Sequence, residues 1–230
     1  MEGPVLERDL RSFVGYFPMP VRHGMTIGEL AGMFNAENHL GANLHVVKMK
    51  GWNRADWYDE TGLAWINPSP NLRDLTEATL YPGVGMVEGS NVSVGRGTDT
   101  PFEVLGAPWI DSRELAEYLN GRHIQGVRFS PIDFTPQENK FARQDCRGVR
   151  IDLLDRQALD APELGVEFAA ALYKLFPNDF QLDKTVPLIG SRPVLDAIRK
   201  GRDPRRLNYE WQQGELAEFR KMRLKYLLYY

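Results

Sequence analysis

Residues 161–176 read APELGVEFAAALYKLF, and this stretch decides the fold class. Leu164, Phe168, Ala171, Leu172 and Leu175 recur at three- and four-residue spacing, so they form one apolar stripe along a helix. A striped helix must cover another layer. Upstream, residues 127–134 and 149–153 are rich in branched and aromatic side chains and read as strands, and 102–105 reads as a third. Asp111 followed by Glu114 predicts a capped helix running to Asn120. Downstream, 192–200 and 213–227 read as two further helices. The second half is therefore α/β.

The first half keeps that class with a different rhythm. Thr26 and Glu29 form a capping box ahead of Ile27, Leu30, Ala31 and Phe34, which predicts a helix over 26–37. Residues 44–49 (LHVVKM) read as a strand. Residues 51–72 read as loop. Ser69-Pro70 is a cap and first-turn pair that predicts a helix over 70–81, ended or kinked by Pro82-Gly83. The first 25 residues, with Pro18-Met19-Pro20, read as irregular. The change of rhythm puts a boundary near 95–105, and we expect two units, 1–98 and 99–230.

Bulk properties narrow the function. The 230 residues are 43% hydrophobic and 26% charged, the composition of an ordinary globular chain. A formal charge of −3 and a pI near 5.9 argue against nucleic acid as a partner. The basic stretch Arg199–Arg206 contains Asp203 and reads as a solvated helix end. Cys146 is the single cysteine, which rules out an internal disulfide and a cysteine-rich metal site. The first residues lack the basic start and apolar stretch of an export signal, and no apolar run is long enough to span a membrane.

Four features could carry chemistry. The segment 81–102, YPGVGMVEGSNVSVGRGTDTPF, sets Glu88, Asn91, Arg96, Ser90, Ser93 and Thr98 among five glycines. Such a loop can approach a ligand closely, and Arg can grip a carboxylate with two parallel bonds. It fits neither phosphate-binding glycine pattern. Taken alone, it reads better as a structured turn. Asn71 falls in the first turn of the expected helix, where N–H groups attract anions, with helix capping as the plainer reading. Trp52, Trp57 and Trp65 lie nearby, as packing more readily than as a sugar platform. His23 precedes a helix and could donate, accept or transfer a proton. No metal spacing links it to His39, His45 or His123, and no G-x-S-x-G elbow exists, so metal and serine-hydrolase chemistry are unsupported and no cofactor is implied. Carboxylates remain. Two acids flanking a bond suffice for glycoside hydrolysis. Glu2 and Glu88, each followed by glycine in irregular backbone, are the candidate pair.

Several blocks together carry a resemblance: RHGMTIGELAGMF (22–34), GW (51–52), TGLAWINPSPN (61–71), YPGVGMVEGSNVSVGRGTDTPFEVLGAPWID (81–111) and residues 211–229. In these the chain resembles the NamZ-like family of bacterial exo-β-N-acetylmuramidases over nearly its whole length. The resemblance implies removal of N-acetylmuramic acid from the non-reducing end of peptidoglycan fragments. It implies part of a Rossmann-like domain with a mostly parallel sheet, then a smaller α/β domain, with the site in the cleft between. Glu88 and Glu2 would be the catalytic carboxylates. His23, Asn71, Asn91, Arg96 and Thr98 would orient the sugar, and Arg96 or Arg22 would take its lactyl carboxylate. Family members carry on the order of 150 further residues ahead of the equivalent of Glu2-Gly3-Pro4, about one domain. Those residues include a Pro-Glu-His-Gly segment with a candidate catalytic Glu. The expectation is therefore an incomplete enzyme, with a truncated sugar-binding or interaction module as the alternative. Full-length relatives would be exported, and the chain would be cytoplasmic if Met1 is the natural start.

Overall fold

A computed structural model describes residues 1–229. Strands β1 (Glu2–Val5) and β2 (Pro20–Arg22) pair antiparallel as a ribbon, with Glu2 opposite Arg22. Helix α1 (Ile27–Glu37) starts at the expected capping box. The Glu29 N–H donates to Thr26 Oγ1 at 3.3 Å, and the Thr26 N–H donates back to the Glu29 carboxylate at 2.8 Å. Met25 and Met33 pack there against Phe219 in a small separate cluster.

Two expectations fail in the stretch that follows. Residues 44–49 join no strand. The next helix, α2, spans Leu75–Val84 and is capped by Asp74, whose side chain accepts from the Glu77 N–H at 2.9 Å. Ser69–Leu72 instead closes a turn, with the Leu72 N–H on the Ser69 carbonyl at 3.0 Å. Proline suits the second position of a turn as well as the first turn of a helix, so Ser69-Pro70 alone could not decide between them. Pro82 lies inside α2 without ending it, and a 3-10 turn over Gly85–Val87 follows.

The second half follows its sequence more closely. Strands β3 (Val104–Ala107), β4 (Val127–Phe134) and β5 (Cys146–Leu153) form one sheet in the order β3-β5-β4. Helix α3 (Ser112–Gly121) joins β3 to β4, with Asp111 accepting from the Arg113 and Glu114 N–H groups, both at 3.0 Å. The first strand begins two residues later than expected because Phe102 is buried at φ 64°, left-handed backbone that cannot extend a ladder. Both pairings in the sheet are antiparallel. The α/β class holds, but among the described residues no sheet is parallel.

Helix α4 (Ala161–Leu175) is the organising element. Its buried stripe of Leu164, Phe168, Ala171 and Leu172 meets the sheet, where the Phe168 ring stands edge-on to Phe129 at 5.7 Å. Its N-terminal turns cross α2 at two glycines. A Cβ on Gly83 would lie 2.0 Å from the Ala161 carbonyl oxygen, and one on Gly165 would lie 2.5 Å from the Gly83 oxygen. The two backbones touch only because neither side has a side chain. Helices α5 (Val186–Ile189), α6 (Arg192–Arg199), α7 (Pro204–Gln213) and α8 (Glu215–Leu224) complete the chain. The helix expected over 213–227 is α8; Gly214 at φ −101°, ψ −109° sets its start and divides it from α7, which was not foreseen.

Candidate functional site

The glycine-flanked segment after α2 is pinned rather than loose. Ser93 and Gly106 exchange backbone hydrogen bonds of 2.8 and 3.0 Å, which attaches the segment to the free edge of β3. Val92 and Val94 are buried on either side. Gly97, at φ 83°, lies where a Cβ would be 2.4 Å from the Glu138 carbonyl oxygen. Its glycine therefore answers to chain packing. Lys140 ties the segment down by donating to the carbonyl oxygens of Glu88, at 2.7 Å, and of Ser90.

That anchoring aims Glu88 outward at the end of the 3-10 turn. Its carboxylate pairs with Arg96, whose Nε faces Oε1 and whose Nη2 donates to Oε2 at 3.2 Å. The guanidinium lies over the Phe102 ring at 5.0 Å, and Tyr81 meets that ring edge-on at 4.8 Å. Glu88 is therefore held in place by a cation and a buried aromatic side chain.

Glu88 lines an open cleft of about 420 Å³ between the β1–β2 ribbon, the end of α2 and the segment 187–190. Pro4, Tyr16, His23, Tyr81 and Leu188 also line it. The volume and the mix of apolar surface with a few polar groups suit a small ligand. His23 Nδ1 accepts from the Met25 N–H at 3.1 Å, which leaves Nε2 as its donor. Burial, reinforced by the nearby Arg223, lowers the His23 pKa and favours the neutral ring.

The other sequence candidates lie apart. Glu2 is on β1 and takes both oxygens to Arg22 Nη1, at 2.9 and 2.8 Å, outside the lining of the cleft. Asn91 is committed to the fold. Its amide donates to the Asp179 carbonyl oxygen at 2.8 Å and accepts from the Gln181 N–H at 2.9 Å. Thr98 closes its own turn on the Gly95 carbonyl at 2.7 Å. Asn71 belongs to the Ser69–Leu72 turn and so lies outside the first turn of α2. From the list, Glu88 and His23 line the cleft together with Tyr16 and Tyr81, and Arg96 joins them only through its pair with Glu88, outside the lining.

One carboxyl escaped sequence reasoning. Asp160 caps α4, accepting from the Glu163 N–H at 2.9 Å and from Asn208 Nδ2 at 3.1 Å. Burial pushes it up to about 6, against the pull of the Glu163 N–H, and the Glu2 charge adds to the rise. In the sequence it is only a helix cap before Ala161-Pro162. Asp74, Glu77 and Glu103 also bring three carboxylate oxygens within 4.8 Å of one another. Arg73 already neutralises Glu77 at 3.0 Å, and Asp74 is engaged as the α2 cap, so this cluster is answered by the protein itself.

Residues 79–229 match the family model of the C-terminal part of exo-β-N-acetylmuramidase NamZ, and residues 1–76 match that of its N-terminal part. The chain belongs to the NamZ family. The peptidoglycan β-N-acetylmuramidase NamZ of Bacillus subtilis strain 168 is 41% identical over the whole of this chain, which spans 56% of that relative's length. Two solved DUF1343 family proteins of Bacteroides fragilis share the fold over the whole chain, with TM-scores of 0.88 and 0.75 at 32% and 26% identity. The chain spans 62% of each. Among the described residues, no helix is long and apolar enough to cross a membrane.

Proposed function

We propose that this chain carries the muramyl-binding part of a glycoside hydrolase that releases terminal N-acetylmuramic acid from peptidoglycan fragments. The observation that supports it is Glu88, oriented by Arg96, opening on an aromatic-walled cleft that also holds His23. In this reading the Tyr16 and Tyr81 rings pack against the sugar, and His23 Nε2 donates to a sugar oxygen. Glu88 accepts a proton from a hydroxyl or water, or stabilises developing positive charge at the anomeric carbon. Arg96 turns Nε and Nη2 toward Glu88, leaving Nη1 to meet the lactyl carboxylate that distinguishes muramic acid from glucosamine.

A second reading rests on a specific observation. The common scheme of glycoside hydrolysis uses two carboxyl groups, and among the described residues Glu88 is the one acid lining this cleft. Glu2, the other candidate, is committed to Arg22 away from it. The chain by itself then binds the sugar, and the second acid comes from elsewhere in a complete enzyme.

Release of the chromophore from an aryl N-acetylmuraminide separates the two. If the chain turns over, Glu88→Gln should lower the rate by about 100-fold or more. Full activity in that variant removes Glu88 from the mechanism. If the chain is silent, N-acetylmuramic acid should still raise its melting temperature, and Glu88→Gln should abolish that rise.

A further inference from the structure

The loop that joins β4 to β5 runs from Thr135 to Asp145, eleven residues where a short turn would close the hairpin. It folds back on itself. The Arg143 N–H donates to the Pro136 carbonyl at 2.7 Å, and the Gln144 N–H to the Phe141 carbonyl at 2.9 Å. Asn139, Phe141 and Arg143 take φ of 64°, 60° and 59°, left-handed backbone that side-chain-bearing residues keep only where their surroundings impose it.

The contacts of this loop fall on both ends of the segment that carries Glu88 and Arg96. At the Arg96 end, the Gln137 N–H donates to the Gly97 carbonyl at 2.8 Å. At the Glu88 end, the Lys140 ammonium bonds the carbonyl oxygens of Glu88, at 2.7 Å, and of Ser90. Both carbonyls lie just past the 3-10 turn, and no backbone N–H reaches either of them among the described residues. Gly89 between them presses on the 184–188 segment, where a Cβ would lie 2.5 Å from the Lys184 carbonyl oxygen. Lys140 is half-buried and stands outside the lining of the cleft. Burial lowers its pKa, and the Glu88 charge opposes that shift.

We propose that Lys140 is a positioning residue for the cleft: by bridging two carbonyls behind Glu88, it fixes the direction of the Glu88 carboxylate, and with it the Glu88–Arg96 pair, toward the muramyl sugar. The inference rests on the reading of Glu88 as the carboxylate that meets the sugar. An ammonium has three donors on one atom and can hold both carbonyls at once. A guanidinium can do the same with its fork of N–H groups, and an apolar side chain of equal length cannot.

Two readouts test it, and one needs no sugar. Solvent exchange of the Arg96 Nε–H, measured by NMR and assigned by its loss in Arg96→Lys, reports the Glu88–Arg96 pair. Lys140→Met should speed that exchange about tenfold and weaken calorimetric binding of N-acetylmuramic acid about tenfold, the loss expected of one charge-assisted hydrogen bond. Lys140→Arg should restore both. Lys140→Gln, which cannot span the two carbonyls, gives the same comparison where the Met variant does not fold. Thr135→Val removes the 2.7 Å bond from Thr135 to Asp145 in the same loop, and should lower the melting temperature without moving either readout. The proposal is overturned by unchanged Nε–H exchange in Lys140→Met, by failure of Lys140→Arg to rescue, or by equal losses in Thr135→Val. Undiminished sugar affinity in Lys140→Met, when Glu88→Gln abolishes binding, also overturns it. If Glu88→Gln binds the sugar as tightly as wild type, the reading of the cleft fails, and Nε–H exchange alone decides whether Lys140 positions Glu88.

Discussion

Replacing Asp160 by Asn should make the protein more stable at neutral pH and remove a pH dependence. Burial raises the Asp160 carboxyl from 3.8 to about 6 in the folded state. A group whose folded value lies above its unfolded value favours the native state when protonated. Its contribution is complete below about pH 4 and fades as the pH climbs through 6. A rise of about two pH units corresponds to about 3 kcal/mol. Asn caps a helix as well as Asp does, so the bond from the Glu163 N–H survives. Asn208 Oδ1 is buried without a partner, and a rotated Asn208 amide can accept from the new side chain. The competing effect is the attraction of an ionised Asp160 to the α4 N-terminus, about 0.3–2 kcal/mol with the opposite sign. Desolvation exceeds it here. Urea unfolding between pH 4 and pH 8 measures the outcome. Wild type and variant should match at the acid end, and the variant should lead by about 3 kcal/mol near pH 7.5. A constant difference, or a variant less stable at neutral pH, refutes the reasoning.

Other outcomes follow from single contacts. Glu167 is 1% exposed and held by Arg122 at 2.7 and 2.9 Å, so Arg122→Ala should cost about 3–5 kcal/mol in urea melts by leaving a buried charge unpaired. A double change that also makes residue 167 Leu should recover most of that loss. Gly83→Ala pits a helix-propensity gain of about 1 kcal/mol against a Cβ placed 2.0 Å from the Ala161 oxygen. The clash should win by at least about 2 kcal/mol, and a stabilised variant would mean that α2 and α4 can separate freely. Burial pushes the Cys146 thiol from 9.0 up to about 11. Alkylation at pH 8 should therefore run roughly 100-fold slower in the folded protein than in urea, and rapid labelling would contradict its enclosed position.

The helices and strands that were legible share one property: their signals are local and mutually consistent. The Thr26–Glu29 capping box, the Asp111 cap and the α4 stripe each state a hydrogen-bond or burial pattern within one turn or a few, and each appears as expected. The misreadings arose where a local signal had two solutions or needed a distant partner. Ser69-Pro70 serves a turn as well as a helix start. Residues 44–49 have strand composition, but a strand exists only when another backbone answers it. Among the site residues, Glu88 and Arg96 were recognisable as a carboxylate and a cation eight residues apart in a glycine-rich frame, and they do pair. Asn91 and Thr98 carried equally suggestive chemistry but serve loop closure, a choice settled by Gln181 and Gly95.

By itself, then, the sequence determined the α/β class, the family kinship, and most helices and strands of the second half, because capping and apolar periodicity act between residues a few positions apart. Only the tertiary structure decided which polar side chains face the cleft, that Asp160 carries a raised carboxyl, and that the sheets are antiparallel. Those outcomes depend on dielectric surroundings and backbone neighbours contributed by segments far apart along the chain, and neither quantity is encoded at any single position.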